Sequence, residues 1–253
     1  MNFETFELER IQSLYENTVQ YNLTESGIHP YTPKELLSEA EIDTMLNLRL
    51  GYGQTNGSIE LRNAISRHYQ GADMDNVLVT NGSAESNFTF AWSNIQAGDE
   101  VVVMLPNYMQ IWGIARYLGA HVKPFYLKED LNWAPDMDEL NQLVTPRAKM
   151  ICLCNPNNPT GAVLDASAMN AIVEIAKKND ALLHVDEIYR GAELQGDETP
   201  TFYDLYDKAI VTMSLSKSYS LPGLRMGWLV GPKELMEKGW AYHDYTSIST
   251  TII

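Results

Sequence analysis

The sequence predicts an α/β protein: a three-layer large domain on a mostly parallel, seven-stranded sheet with one antiparallel strand. Three observations carry that expectation. From about residue 77 onward, short β-branched or apolar runs alternate with longer helical patterns. The last two runs are joined by only 11 residues, and three polar clusters follow directly on the ends of apolar runs.

Residues 1–40 stand outside the alternation. A first helix gives way to Thr24-Glu-Ser-Gly-Ile-His-Pro-Tyr-Thr-Pro33, which is loop chemistry, so this segment is expected as an arm or as part of a smaller domain. Residues 41–253 make up the large domain. Its strands are expected at Val77 to Thr80, Val101 to Leu105, His121 to Leu127, Lys149 to Cys154, Leu182 to Val185 and Ala209 to Ser214. From Ser83 the positions Ala84, Phe88, Ala91, Trp92 and Ile95 share one helical face, and Gly98 can end that helix. A second helix starts at a capping Asp165, carries its stripe on Met169, Ile172, Val173 and Ala176, and ends on Lys177 and Lys178, which suit the helix dipole. The seventh strand, Met226 to Val230, follows Ser214 too closely for a parallel crossover, so it is expected antiparallel to its predecessor.

A chain of 253 residues that is 45% hydrophobic can bury a substantial core. Its net charge of -15 repels nucleic acid and anionic membrane surfaces, which points to small-molecule partners. Met1-Asn-Phe-Glu-Thr-Phe-Glu-Leu-Glu-Arg10 has neither a basic region nor an apolar core of the kind that directs export, so the cytoplasm is the expected compartment. Cys152 and Cys154, on one face of a strand by alternation, are expected as inert core thiols; no metal site is expected.

Gly51-Tyr-Gly-Gln-Thr-Asn-Gly57 has the wrong glycine spacing for a dinucleotide loop, and no strand precedes it. Asn81-Gly82-Ser83-Ala84 joins a strand to a helix, so it reads either as an anion cradle or as a plain turn. Asn155-Pro-Asn-Asn-Pro-Thr-Gly161, Asp186-Glu-Ile-Tyr189 and Ser214-Leu-Ser-Lys217 each follow a strand, and three such clusters imply one crevice.

In order and spacing these motifs resemble the fold-type I, pyridoxal-phosphate-dependent class I and II aminotransferases, the family of aspartate aminotransferase. The resemblance covers roughly residues 40 to 245 and rests on Asn-Pro-Thr-Gly, Asp-x-x-Tyr and Ser-x-x-Lys followed eight residues later by Arg225. It implies that Lys217 holds the cofactor as a Schiff base and shuttles the substrate α-proton, and that Asp186 pairs with the pyridinium nitrogen. By the same resemblance Asn158 and Tyr189 serve the phenolic oxygen, and Tyr108 stacks on the ring, although an aromatic beside a strand end also suits plain packing. Ser83, Ala84, Ser214 and Arg225 are implied at the phosphate. Tyr52 is implied to reach the phosphate of a neighbouring subunit, which makes the working unit a homodimer.

Family members continue into a C-terminal small domain bearing the arginine for the substrate carboxylate. This chain ends on Ser249-Thr-Thr-Ile-Ile253, so that domain is expected to be missing, and no residue is assigned the arginine's role. The expected reaction is amino-group transfer between an amino acid and a 2-oxo acid. The alternatives are another reaction of the same cofactor, such as an elimination, a decarboxylation or a cyclising synthesis, and a cofactor-binding fragment without turnover.

Overall fold

The computed structural model describes residues 3–252. Met1, Asn2 and Ile253, the outer ends of the two expected segments, lie outside the described residues. The chain opens with three helices that bury none of their own residues: α1 (Glu7–Tyr15), α2 (Pro33–Leu36) and α3 (Glu39–Leu46). The last two start at capping boxes, where the hydroxyls of Thr32 and Ser38 accept from the N–H groups of Glu35 and Glu41. The boundary expected after residue 40 therefore falls inside α3.

A further helix, α4 (Ile59–Ser66), leads into the alternating region. There β1 (Val77–Thr80), α5 (Ser83–Asn94), β2 (Glu100–Leu105), α6 (Gln110–Tyr117) and β3 (His121–Lys128) follow one another. After β4 (Ala134–Pro135) and α7 (Met137–Leu143) come β5 (Ala148–Cys154), α8 (Ala166–Lys178) and β6 (Leu182–Asp186). The chain closes with β7 (Ala209–Ser214), β8 (Gly227–Val230) and α9 (Lys233–His243). The strand order is β1-β8-β7-β6-β5-β2-β3-β4. Strands β3, β2, β5, β6 and β7 pair in parallel, while β8 runs antiparallel to both β7 and β1. The short connection before β8 thus had the expected consequence.

Several details depart from the sequence reading, including one-residue extensions of β2 to Glu100, β3 to Lys128, β5 to Ala148 and β6 to Asp186. An eighth strand, β4, pairs antiparallel with the end of β3; two residues, one of them proline, carry no periodicity that could announce it. The helix from Ser83 stops at Asn94, with Ile95 already extended, so Gly98 does not end it; Gly98 sits at φ +90 in the following turn and donates to Gly119 O. β8 begins at Gly227, one residue later than expected. Finally, Cys152 and Cys154 pack into different layers, because β5 ends at Cys154 and alternation ends with it. The Cys154 thiol donates to Pro156 O at 3.3 Å, and burial raises the pKa of both thiols.

Alternation along the strands builds the layers. Val102, Met104, Ile151 and Leu153 point to one side and meet Met169, Ile172 and Val173 of α8. Val101, Val103, Met150 and Cys152 point to the other and meet Phe90 and Ala91 of α5, Ile111 and Ile114 of α6 and Met236 of α9. Ile65 of α4 joins Val77, Val79 and Trp228 in a third cluster at the β1–β8 edge. Each fully buried aliphatic side chain contributes about 1.5–3 kcal/mol, so the sheet is a rigid platform for the loops at its ends. Among the described residues, no helix is long and apolar enough to cross a membrane.

Candidate functional site

Strands β5, β6 and β7 are neighbours, and their register sets Cys154 beside Asp186 and Asp186 beside Thr212. The loops that leave them open on one crevice at the C-terminal edge of the sheet. It contains a cavity of about 630 Å³ lined by Ser83, Ala84, Tyr108, Asn158, Asp186, Tyr189, Lys217 and Arg225, joined by Glu9, Glu25, Ser26 and Ser216. A second cavity of about 410 Å³ adjoins it and shares Ser26, Asn158, Pro159 and Tyr189.

Asp186, the last residue of β6, is buried. Its carboxylate accepts from Ile188 N at 3.1 Å and from Asn87 Nδ2 at 3.2 Å. Burial raises its pKa against those two bonds, and among the described residues it has no cationic partner within ion-pair distance. A buried carboxylate of this kind favours any cation brought to it. Three residues on, Tyr189 accepts from Asn158 Nδ2 at 3.2 Å and shares a 2.8 Å bond with the Ser26 hydroxyl. Burial pushes the Tyr189 phenol up to about 12, so at neutral pH it is a donor.

Lys217 stands in the loop after β7, where its Nζ donates to Glu25 Oε1 and Ser26 Oγ, each at 3.0 Å. The N-terminal segment thus lies across the cavity. It also reaches Tyr108, whose hydroxyl donates to Glu9 Oε1 at 2.6 Å while Phe6 packs on the ring at 4.9 Å. Burial and the neighbouring Glu9 both hold the Tyr108 phenol well above its usual pKa.

The other end of the cavity is built for an anion. Gly82, with φ +80, precedes the first residue of α5 and no side chain caps the helix; Glu85 N donates to Gly82 O at 3.2 Å, which leaves the N–H groups of Ser83 and Ala84 to whatever enters beside them. Arg225 closes this end: a side chain at Gly82 would stand 2.5 Å from its Nη2, and its Nη1 donates to Pro222 O at 3.0 Å. Glu85, also in the first turn, is engaged elsewhere by Asn81 N, His243 and Ser247.

The sequence model of the aminotransferase class I and II family matches residues 22–244. The chain belongs to the class I and II aminotransferases. It is 34% identical over 214 residues to the glutamate–pyruvate aminotransferase of Escherichia coli strain K12, covering 80% of this chain and 52% of that protein. It is 30% identical over 238 residues to the capreomycidine synthase of Streptomyces vinaceus, covering 90% and 60%. A solved PLP-dependent aminotransferase from Streptococcus suis 89-1591 superposes with a TM-score of 0.93 at 34% identity, covering all of this chain and 68% of that one. The Thermus thermophilus aspartate aminotransferase with maleate gives 0.87 at 22% identity, which speaks for the fold alone. The chain spans about half the length of the curated aminotransferases it matches.

The cofactor of this aminotransferase family is pyridoxal phosphate, and the residues present fit it. A buried carboxylate without a cationic partner among the described residues suits a protonated ring nitrogen, an uncapped helix start with a guanidinium suits a phosphate, and a lysine amine in the same cavity suits an aldehyde. Two expected residues stand apart. Ser214 is fully buried and outside the lining, and its hydroxyl accepts from Ser216 N at 3.1 Å; of these two serines, Ser216 lines the cavity. Tyr52 is 91% exposed and lies outside the lining. Sequence reasoning passed over Asn87, Ser216, Glu9, Glu25 and Ser26. Only Asn87 had a local signal, one helical turn past Ser83 on α5.

Proposed function

We propose that this aminotransferase chain supplies the cofactor site of an enzyme that moves an amino group between an amino acid and a 2-oxo acid. The observation that carries the reading is the convergence of Lys217, Asp186, the Asn158–Tyr189 pair and the Arg225–Ser83 end on one cavity. When bound, pyridoxal phosphate supplies an aldehyde for a primary amine and an electron-withdrawing ring. Lys217 would hold it as a Schiff base and, once released, take the proton from the substrate Cα and return it. Asp186 would keep the ring nitrogen protonated, and Asn158 and Tyr189 would donate to the phenolic oxygen. Ser83, Ala84 and Arg225 would hold the phosphate, with Ser214 supporting that end from behind through its bond to Ser216 N, and with Tyr108 over the ring. Tyr52, standing clear of its own cavity, would serve the partner subunit of a homodimer. In this reading residues 1–40 form an arm over the site and residues 41–253 the cofactor domain.

The test is a half-reaction: the protein loaded with pyridoxal phosphate is mixed with single amino acids, and formation of the 2-oxo acid with conversion of the cofactor to its amine form is followed. Release of ammonia or carbon dioxide without that conversion would overturn the reading. The similarity to a capreomycidine synthase over 90% of the chain favours a second reading, a non-transfer reaction on the same cofactor anchors, and those products would identify it.

A further inference from the structure

Glu25 and Ser26 belong to none of the motifs that mark the family, yet both bond the amine of Lys217. We infer that they form a seat for an ammonium group, occupied by Lys217 when its amine is free and by the amino group of the donor when Lys217 is engaged with the cofactor. The inference rests on the amino-transfer reading.

The seat is held in place from both sides. Glu25 Oε1 accepts from Gly27 N at 2.6 Å, and the Ser26 hydroxyl also bonds Tyr189 Oη at 2.8 Å. The hydrogen bond from Lys217 lowers the pKa of Glu25 despite partial burial, so the group is a carboxylate at neutral pH. An ammonium has three donors, and this pair takes two of them.

In amino transfer the donor's nitrogen replaces that of Lys217 at one carbon, so both nitrogens pass through the same small volume. An acceptor pair beside Nζ meets each in turn. While Lys217 is engaged it offers Glu25 no ammonium, and a carboxylate left at the cavity without a counter-charge draws in a cation. The other charges of the lining are spoken for: Asp186 and Arg225 by the cofactor, and Glu9 by the Tyr108 hydroxyl at 2.6 Å. A 2-oxo acid has no ammonium and gains nothing from the seat.

The experiment uses the protein loaded with pyridoxal phosphate, titrated with L-alanine and with methylamine while the absorbance of the cofactor–lysine adduct is followed. The protein loaded with pyridoxamine phosphate is titrated with pyruvate in parallel. Glu25→Gln is expected to raise the half-saturating concentration of both amines about five- to tenfold and to leave that of pyruvate within about twofold. Glu25→Asp should recover part of the loss, and Ser26→Ala should show the same pattern at about two- to threefold. In the cofactor-free protein, Glu25→Gln is expected to raise labelling of Lys217 by acetic anhydride severalfold, because Nζ is then released from its 3.0 Å bond to the carboxylate. Equal weakening towards amines and pyruvate, or unchanged binding and labelling in the folded variants, overturns the seat. Absence of any 2-oxo acid product overturns amino transfer instead, and the amine titration and the labelling still report on Glu25.

Discussion

Gly227 on β8 backs directly onto the peptide that joins Gly82 to Ser83: a methyl group there would overlap the carbonyl carbon of Gly82 and the nitrogen of Ser83. Both sides of the clash are backbone, so neither can swing away. The start of α5 is therefore set by a glycine on a strand far along the chain. Gly227→Ala is expected to cost about 1–3 kcal/mol in urea unfolding and to weaken pyridoxal phosphate binding, as read by equilibrium dialysis. Gly223→Ala, with open space around the added methyl, is the control and should leave both near wild type. Equal effects in the two variants would count against the close approach.

Asp186→Asn separates binding from stability. The wild-type carboxyl is buried, and its pKa is raised by that burial, so an amide of the same shape removes a desolvation cost in the cofactor-free protein. Its urea stability near pH 8 is expected to stay within about 1 kcal/mol of wild type, because the amide loses one of the two accepted bonds as it loses the buried charge. Affinity for pyridoxal phosphate is expected to fall about 100-fold, because the ring nitrogen then loses its counter-charge. Retained affinity would remove Asp186 from the cofactor's set.

Glu187 predicts a pH dependence. Burial pushes its carboxyl up to about 7, against a bond in which Phe202 N donates to Oε1 at 2.8 Å, and Oε2 has no hydrogen-bond partner among the described residues. The folded state thus binds this proton more tightly than the unfolded chain does. The contribution is fully present below the unfolded-state pKa near 4.5 and is lost as pH rises through about 7. In the cofactor-free protein, unfolding free energy is expected to fall by about 2 kcal/mol between about pH 5 and pH 8 on account of this group. Glu187→Gln should flatten that fall; an unchanged slope would refute it.

Lys217→Ala is expected to abolish the borohydride-reducible adduct with pyridoxal phosphate. Mass spectrometry of the reduced wild-type protein should place one cofactor on the peptide that contains Lys217. An adduct of equal yield in the variant would move the attachment to another lysine.

The fold was legible wherever a pattern was local. Val101-Val-Val103 announces a strand buried on both faces, and Asp165 with its stripe announces α8 from end to end. Lys217, Asp186 and Asn158 were legible because each follows a strand within a few residues and the sheet brings strand ends together by itself. What stayed hidden was long in range or too short to show a period. Asn87 bonds Asp186 across 99 positions, Ser26 bonds Tyr189 across 163, and Glu25 bonds Lys217 across 192. No spacing rule connects such pairs. Ser214 and Ser216 show a finer limit: the motif indicates which serine to expect, and only the loop's conformation shows which one lines the cavity.

Helices α1, α2 and α3 bury none of their residues, whereas β5, β6 and β7 are buried almost throughout. Local opening of the arm therefore needs only a small fraction of the global unfolding free energy, and its amides should exchange with solvent long before those of the central strands. The N-terminal residues that meet Lys217, Tyr189 and Tyr108 are thus held less firmly than the strand ends on the other side of the cavity. Substitutions at Glu9, Glu25 or Ser26 can be sampled without threatening the fold, which leaves selection free to retune what the site accepts while the sheet keeps what it holds.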